Sequence, residues 1–80
     1  STNDYVNLKV NLYPNPVQNI ITISGIKEKA TIQIYNNIGA KVLEKEFTGE
    51  TKLEIDLPSG IYYAKIDSSD KSVVKKILIE

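Results

Sequence analysis

The fold is decided by a stretch near the middle of the chain, residues 30–35, which reads ATIQIY. Its apolar side chains Ile32 and Ile34 fall on one face, and polar or aromatic side chains alternate with them. A period of two is the signature of a β-strand with one buried face. Residues 53–57 and 62–66 alternate in the same way. No window shows a sustained helical period, so the sequence predicts an all-β protein.

Turn-forming residues divide the chain at intervals of about 8–12 residues, the spacing typical of a β-sandwich or barrel. The runs between them are rich in Ile, Val, Thr and Tyr, which suit a pleated surface. The predicted strands are residues 8–13, 19–24, 30–35, 41–47, 52–57, 61–66 and 72–79. Short connections favour antiparallel pairing. We therefore predict an immunoglobulin-like antiparallel β-sandwich of about seven strands over residues 8–80, with residues 1–7 as the end of a linker.

The composition of the 80 residues argues against several classes of function. Neither cysteine nor histidine is present, which excludes the usual zinc, iron–sulfur and haem sites. Ten lysines balance ten carboxylates and arginine is absent, so the chain is a poor candidate for nucleic-acid binding. No apolar run approaches the 18 or so residues that a membrane-spanning helix needs. We expect no cofactor and no nucleic-acid partner.

Catalysis is also not expected, because histidine, cysteine and arginine are all absent. Only carboxylates, lysines, tyrosines and hydroxyls remain to act as nucleophile, acid or base. Paired acids can hydrolyse glycosidic bonds. The candidates are Glu44, Glu46, Glu54 and Asp56, whose parity along their strands places them on solvated faces. A sandwich of this size offers little material for a substrate cleft. We predict that the chain is not an enzyme and has no small-molecule substrate.

A calcium site is the next alternative, since the segment Asp67-Ser68-Ser69-Asp70 carries oxygen ligands. A hairpin turn uses the same residue types to bond its own backbone. With two carboxylates in reach, the turn interpretation is favoured and no metal site is predicted.

Five tyrosines raise the alternative of a carbohydrate-binding platform. Tyr62 shares its parity with the inward set, so a core position with a bonded hydroxyl is expected. Tyr13, Tyr35 and Tyr63 fall on separate strands, and nothing in their spacing aligns them. A carbohydrate-binding or adhesive module appended to an extracellular enzyme is the second candidate function, and a structural spacer is the third.

Four local features together resemble one family. They are residues 12–16 (LYPNP) followed by residues 20–23 (IITI), the hairpin of residues 34–42 with its Gly39, the segment 57–62 (LPSGIY), and the lysine-containing terminal strand of residues 73–79. Their order and spacing resemble the type A C-terminal sorting domain of the type IX (Por) secretion system. Glu80 departs from the family's pattern, which has a lysine or an apolar residue there.

The resemblance implies a cargo protein that reaches the periplasm by its own signal peptide. There an outer-membrane translocon would recognise this domain, and a sortase-like peptidase would remove it after export. The cargo would be secreted or held at the cell surface. The implied partners are thus the translocon, the peptidase and an upstream cargo domain. The candidate recognition residues are Tyr13, Pro14, Asn15, Pro16, Gly39, Gly60, Tyr62, Lys75 and Lys76.

Each of these motifs can also be explained by the requirements of the fold alone. Pro14 and Pro16 suit a bend or an edge where no ladder bond is lost. Gly39 permits a positive φ in a hairpin turn, and Gly60 is expected to do the same. Lysines on a last strand discourage pairing between edges of different molecules. The long apolar terminal strand suggests recognition through an exposed sheet edge.

Overall fold

The computed structural model describes residues 9–69 and 71–80. They form seven β-strands: β1 (Asn11–Tyr13), β2 (Ile20–Ser24), β3 (Lys29–Tyr35), β4 (Lys41–Thr48), β5 (Thr51–Glu54), β6 (Gly60–Ser68) and β7 (Lys71–Ile79). All strand pairs are antiparallel. None of the described residues forms a long apolar helix of the kind that crosses a lipid bilayer. The prediction of a seven-stranded all-β fold is confirmed.

The strands form two sheets, one with the order β1-β2-β5 and one with the order β4-β3-β6-β7. In the constant-type immunoglobulin arrangement, the fourth strand in sequence joins the sheet of the first, second and fifth. Here β4 pairs with β3 in the other sheet, which gives a division of three strands and four. The chain therefore changes sheet between β2 and β3, between β4 and β5, and between β5 and β6.

The core lies between the inner faces of the two sheets. Its fully buried members include Ile21 and Ile23 of β2, and Ile32 and Ile34 of β3. Alternation produces this arrangement, because every second side chain of a strand points to the same face. Full burial of one such side chain is worth roughly 1.5–3 kcal/mol. Since cysteine is absent, the stability of the sandwich depends on this aliphatic layer.

Strand ends differ from the predicted ones where the partner strand ends. β1 begins at Asn11 and not at residue 8, because Asn11 already pairs with Ser24, the last residue of β2. Leu8 itself lies outside the described residues. β5 ends at Glu54, which pairs with the first residue of β2. β6 continues to Ser68, which lies opposite Lys71, so the predicted turn over residues 67–70 is tighter than expected.

Candidate recognition surface

Residues 15–17 bond to the C-terminal end of β7 along the edge that faces away from β6. The N–H of Val17 donates to the carbonyl oxygen of Leu78 at 2.7 Å, and the N–H of Glu80 donates to the carbonyl oxygen of Val17 at 2.8 Å. The N–H of Leu78 donates to Oδ1 of Asn15 at 3.1 Å. Val17 is fully buried and forms a parallel bridge with Ile79. We call this set of three hydrogen bonds the clasp.

The rest of that edge is open within the described part of the chain. Every second residue of a strand directs its N–H and C=O to the same side. Because Leu78 directs both groups toward the clasp, Ser72, Val74 and Lys76 direct theirs the same way. Among residues 9–69 and 71–80, no strand pairs with this side of β7 before the clasp. β7 therefore offers a short row of backbone donors and acceptors.

A groove of roughly 660 Å³ runs between this open edge and β1. Its lining combines apolar, amide, hydroxyl and ammonium groups. The lining residues are Val10, Asn11, Leu12, Tyr13, Asn15, Val74, Lys75 and Lys76. The fold thus brings four of the candidate residues, Tyr13, Asn15, Lys75 and Lys76, to one concave surface.

Lys75 and Lys76 are adjacent in the sequence, but their side chains lie on opposite faces of β7. Lys75 lies opposite Ala64, whose side chain belongs to the core face, whereas Lys76 lies opposite the exposed Tyr63. Consecutive residues of a strand point to opposite faces, and this parity separates the two ammonium groups. Lys75 is half-buried and Lys76 is exposed, so the two ammonium groups project from opposite faces of β7 although both residues line the groove.

Tyr62 is a core residue, as its parity predicted. Its side chain is only 6% exposed, and its hydroxyl donates to the carbonyl oxygen of Pro58 at 2.7 Å. A tyrosine near the start of the sixth strand that bonds to backbone a few residues upstream is the tyrosine corner of immunoglobulin-like domains. The prediction of a bonded hydroxyl in the core is confirmed.

The two motif glycines and the motif prolines lie at turns and bends. Gly39 has a φ of 88° and Gly60, the first residue of β6, a φ of 154°. Both positive angles were expected. Pro14 and Pro16 lie between β1 and β2, outside both ladders as predicted, and the peptide bonds before them are cis.

Asn36 organises the β3–β4 turn, and sequence reasoning did not single it out for this role. Its Oδ1 accepts hydrogen bonds from the N–H of Ile38 at 3.1 Å and from the N–H of Ala40 at 2.9 Å. An asparagine that bonds backbone two residues ahead is a known turn signal, so the information was present in the sequence. The turn presents Ile38 at its tip, 83% exposed.

A comparison with protein-family models supplies the observation that decides the family. The model described as the secretion system C-terminal sorting domain matches residues 11–80, which is nearly the whole chain. The chain belongs to this family. A comparison with curated proteins gave no match. The sorting domain is a non-catalytic signal module of the type IX (Por) system, which interacts with the secretion machinery and directs its cargo across the outer membrane to the surface or medium.

The acidic side chains of the sorting domain that were weighed as catalytic candidates are all exposed and are divided between the sheets. Glu44 and Glu46 lie on β4, while Glu54 ends β5 in the other sheet. Glu46 forms an exposed ion pair with Lys29 at 3.6 Å. Asp56 follows β5 and is also exposed. Their strand parity therefore placed them correctly on solvated faces.

Glu44 belongs to a small polar network on the outer face of the four-stranded sheet. The Nζ of Lys41 donates to Oε1 of Glu44 at 2.6 Å, and the hydroxyl of Tyr35 donates to Oε1 of Gln33 at 3.0 Å. Hydrogen bonds from Lys41 and then Gln33 lower the pKa of the Glu44 carboxyl below its usual value. The bond to Glu44 raises the pKa of Lys41.

The segment considered for calcium contributes a buried contact to the fold of the sorting domain. Ser68 is buried, and its hydroxyl donates to the carbonyl oxygen of Lys29 at 3.0 Å. Ser69, in the turn, has a φ of 57°. Asp70 lies outside the described residues. Within residues 9–69 and 71–80, no group of three or more acidic side chains is placed to hold a metal ion.

The register corrects one expectation about the tyrosines. Tyr35 and Tyr63 lie directly opposite each other on β3 and β6, although nothing in their sequence spacing aligned them. Tyr13 ends β1 in the other sheet. The alignment depends on the pairing of strands that are not consecutive in the chain, which is why spacing alone did not show it.

Proposed function

We propose that the sorting domain is of type A and that the outer-membrane translocon reads it through the open edge of β7 and the groove beside β1. A sortase-like peptidase then separates the domain from an upstream cargo domain. In this proposal residues 8–80 are the sorting domain and residues 1–7 end the linker. The observation that carries the proposal is the row of backbone groups at Ser72, Val74 and Lys76, next to the groove, with which no strand of residues 9–69 and 71–80 pairs.

Strand addition is the recognition mode that suits this edge. An extended segment of a partner can pair with free N–H and C=O groups, while its alternate side chains enter pockets beside the strand. The groove offers Leu12 and Tyr13 for apolar contact and the ammonium group of Lys75 for a carboxylate. Backbone pairing would supply affinity, and the groove would supply selectivity.

The clasp gives the proposed interaction a defined length. Asn15 and Val17 occupy the groups of Leu78, so an added strand must stop before that residue. The motif residues Pro14, Asn15 and Pro16 then act by holding the clasp in place and bordering the site. Gly39, Gly60 and Tyr62 act by shaping the fold that presents it.

The test is an export assay with substitutions in the open edge. Residues 1–80 are fused behind a reporter with a signal peptide, and the reporter in the medium is measured in cells with and without the translocon. Val74→Pro removes an outward N–H without removing a bond to β6, a position where an edge strand tolerates proline. Val74→Ala keeps that N–H and is the matched control.

We expect export of the parent fusion only in cells with the translocon. Val74→Pro should reduce this export several-fold, and Val74→Ala should leave it unchanged. Lys75→Gln, which removes one of the two lysine charges that line the groove, should also reduce export. Thermal unfolding of purified residues 1–80 checks that each variant is folded. Normal export of a folded Val74→Pro variant would exclude the edge, and periplasmic retention of the parent in both cells would exclude export by this domain.

A further inference from the structure

The outer face of the four-stranded sheet carries a contiguous apolar patch at one end. Ile61 of β6 lies opposite Leu78 of β7, and Tyr63 lies opposite Tyr35 on one side and Lys76 on the other. Ile61, Tyr63 and Leu78 are 45%, 41% and 42% exposed. We call Tyr35, Ile61, Tyr63 and Leu78 the outer-face patch.

The patch is more apolar than the rest of this sheet face. The next rungs toward the other end pair Gln33 with Lys65 and Thr31 with Asp67, and the apolar exception there is Val74, which lies opposite Lys65. β4 contributes Glu44 and Glu46 to the same rungs. Single exposed apolar residues are ordinary on a protein surface, whereas a cluster rimmed by polar groups marks an interaction site.

The patch is held in a fixed shape. Tyr63 is paired with β3 on one side and with β7 on the other, and Ile61 of the same strand is paired with β7. The hydroxyl of Tyr35 is bonded to Gln33, so that ring is oriented before any partner arrives. Side chains that are already ordered lose little entropy on binding, which favours affinity at a small interface.

The charges around the patch indicate the chemistry of its partner. Lys76 and Lys65 border Tyr63, and no ion pair among the described residues includes either of them. Lys41 lies beyond Tyr35 and is already bonded to Glu44. A complementary surface therefore has an apolar centre and carboxylates facing Lys65 and Lys76. The face is an open sheet surface, and small ligands prefer concave pockets. This favours a protein as the occupant.

We infer that the outer-face patch is a second docking surface of the sorting domain, occupied by an apolar, carboxylate-rimmed protein surface of the secretion machinery. The inference rests on recognition of the domain by that machinery, but it does not depend on the open edge of β7. The two surfaces differ in physics: the edge offers backbone groups, and the patch offers side chains on a sheet face.

The test compares two isoleucines of equal exposure. Ile61 and Ile20 are both 45% exposed, and Ile20 lies on β2 in the other sheet. Ile61→Ser and Ile20→Ser are made in the reporter fusion with residues 1–80. Binding of each fusion to detergent-solubilised translocon, purified through a tagged subunit, is measured together with export. Lys65→Glu tests the charge, because Lys65 borders Tyr63 but does not line the groove, and a photo-crosslinking residue at position 63 identifies the neighbour.

We expect Ile61→Ser and Lys65→Glu to weaken binding about tenfold, the scale of a residue at the centre of an interface. Ile20→Ser should bind like the parent, and position 63 should crosslink to a protein of the translocon. Equal effects at Ile61 and Ile20, or no effect at either, would overturn the inference. Crosslinking of position 63 to lipid or glycan alone would also overturn it. Loss of binding in Val74→Pro with normal binding in Ile61→Ser would retain the edge and reject the patch.

Discussion

Substitutions at the tyrosine corner can distinguish a residue that is needed for the fold from one that a partner contacts. Tyr62→Phe removes a single oxygen from a buried side chain and leaves the ring in place. Tyr63→Phe makes the same chemical change at the next residue, which is exposed on the outer face. The pair therefore differs in burial and in hydrogen bonding, and in little else.

The magnitude follows from the contact that is lost. The Tyr62 hydroxyl donates to the Pro58 carbonyl at 2.7 Å, and this bond is partly buried. An intramolecular hydrogen bond of this kind contributes about 0.5–1.5 kcal/mol, and a partner left unsatisfied away from water adds to the loss. We expect Tyr62→Phe to lower the free energy of unfolding by about 1–2 kcal/mol, whereas surface changes such as Tyr63→Phe usually stay within about 0.5 kcal/mol.

That loss is large for a chain of this size. At about 0.05–0.15 kcal/mol per residue, 80 residues have a total stability of roughly 4–12 kcal/mol. The assay is urea unfolding of purified residues 1–80, followed by circular dichroism. A lower midpoint with an unchanged slope reports stability alone. In thermal unfolding, each 1 kcal/mol should lower Tm by about 4–8 °C.

Equal stability of Tyr62→Phe and Tyr63→Phe would refute this account of the corner. Measuring export of the two variants then tests whether the Tyr62 hydroxyl acts through stability or through direct contact with the machinery. If Tyr62→Phe unfolds at the parent midpoint but is not exported, the hydroxyl is read directly by the machinery and is not structural. If export falls only in proportion to stability, the motif tyrosine acts through the fold.

Two further predictions concern a glycine pair and an exposed carboxyl. A Cβ added at Gly25 would lie 2.6 Å from the backbone oxygen of Lys9, whereas nothing lies within 4 Å of one added at Gly39, and both residues have positive φ. We expect Gly39→Ala to lose about 1–2 kcal/mol from backbone strain, and Gly25→Ala to lose clearly more because backbone must also move, in the same urea assay; equal losses would contradict the steric argument. Because Lys41 lowers the pKa of Glu44, their interaction is present above the unfolded pKa of about 4.5 and is lost as pH falls through the lower folded pKa. An NMR titration should find the Glu44 midpoint below its usual value and higher in Lys41→Gln, and an unchanged midpoint would show that the pair is not formed in solution.

The fold was predictable because its information is local. The alternation at Ile32 and Ile34 indicates which face of the strand is buried, and the turn residues indicate where the strands end. The ends of β1 and β5 were not predictable in the same way, since each is set by the length of β2. A strand without a partner cannot continue its ladder, whatever its own residues prefer.

The candidate surface depends on longer-range information. Asn15 meets Leu78 across 63 positions of sequence, and no spacing rule connects them. Tyr35 and Tyr63 align only through the register of β3 and β6. The placement of Lys75 and Lys76 on opposite faces of β7, by contrast, follows from strand parity alone.

The clasp joins residues near the start of the described chain to its last residues. The domain can therefore be completed only late in synthesis. The hydrogen bonds at Leu78 and Glu80 cannot form until those residues have left the ribosome. A cargo whose synthesis stops before residue 71 lacks β7, and with it the clasp and the open edge. If the translocon recognises this edge as proposed, only a chain translated through β7 can present the recognition surface, so we expect that a truncated chain is not exported.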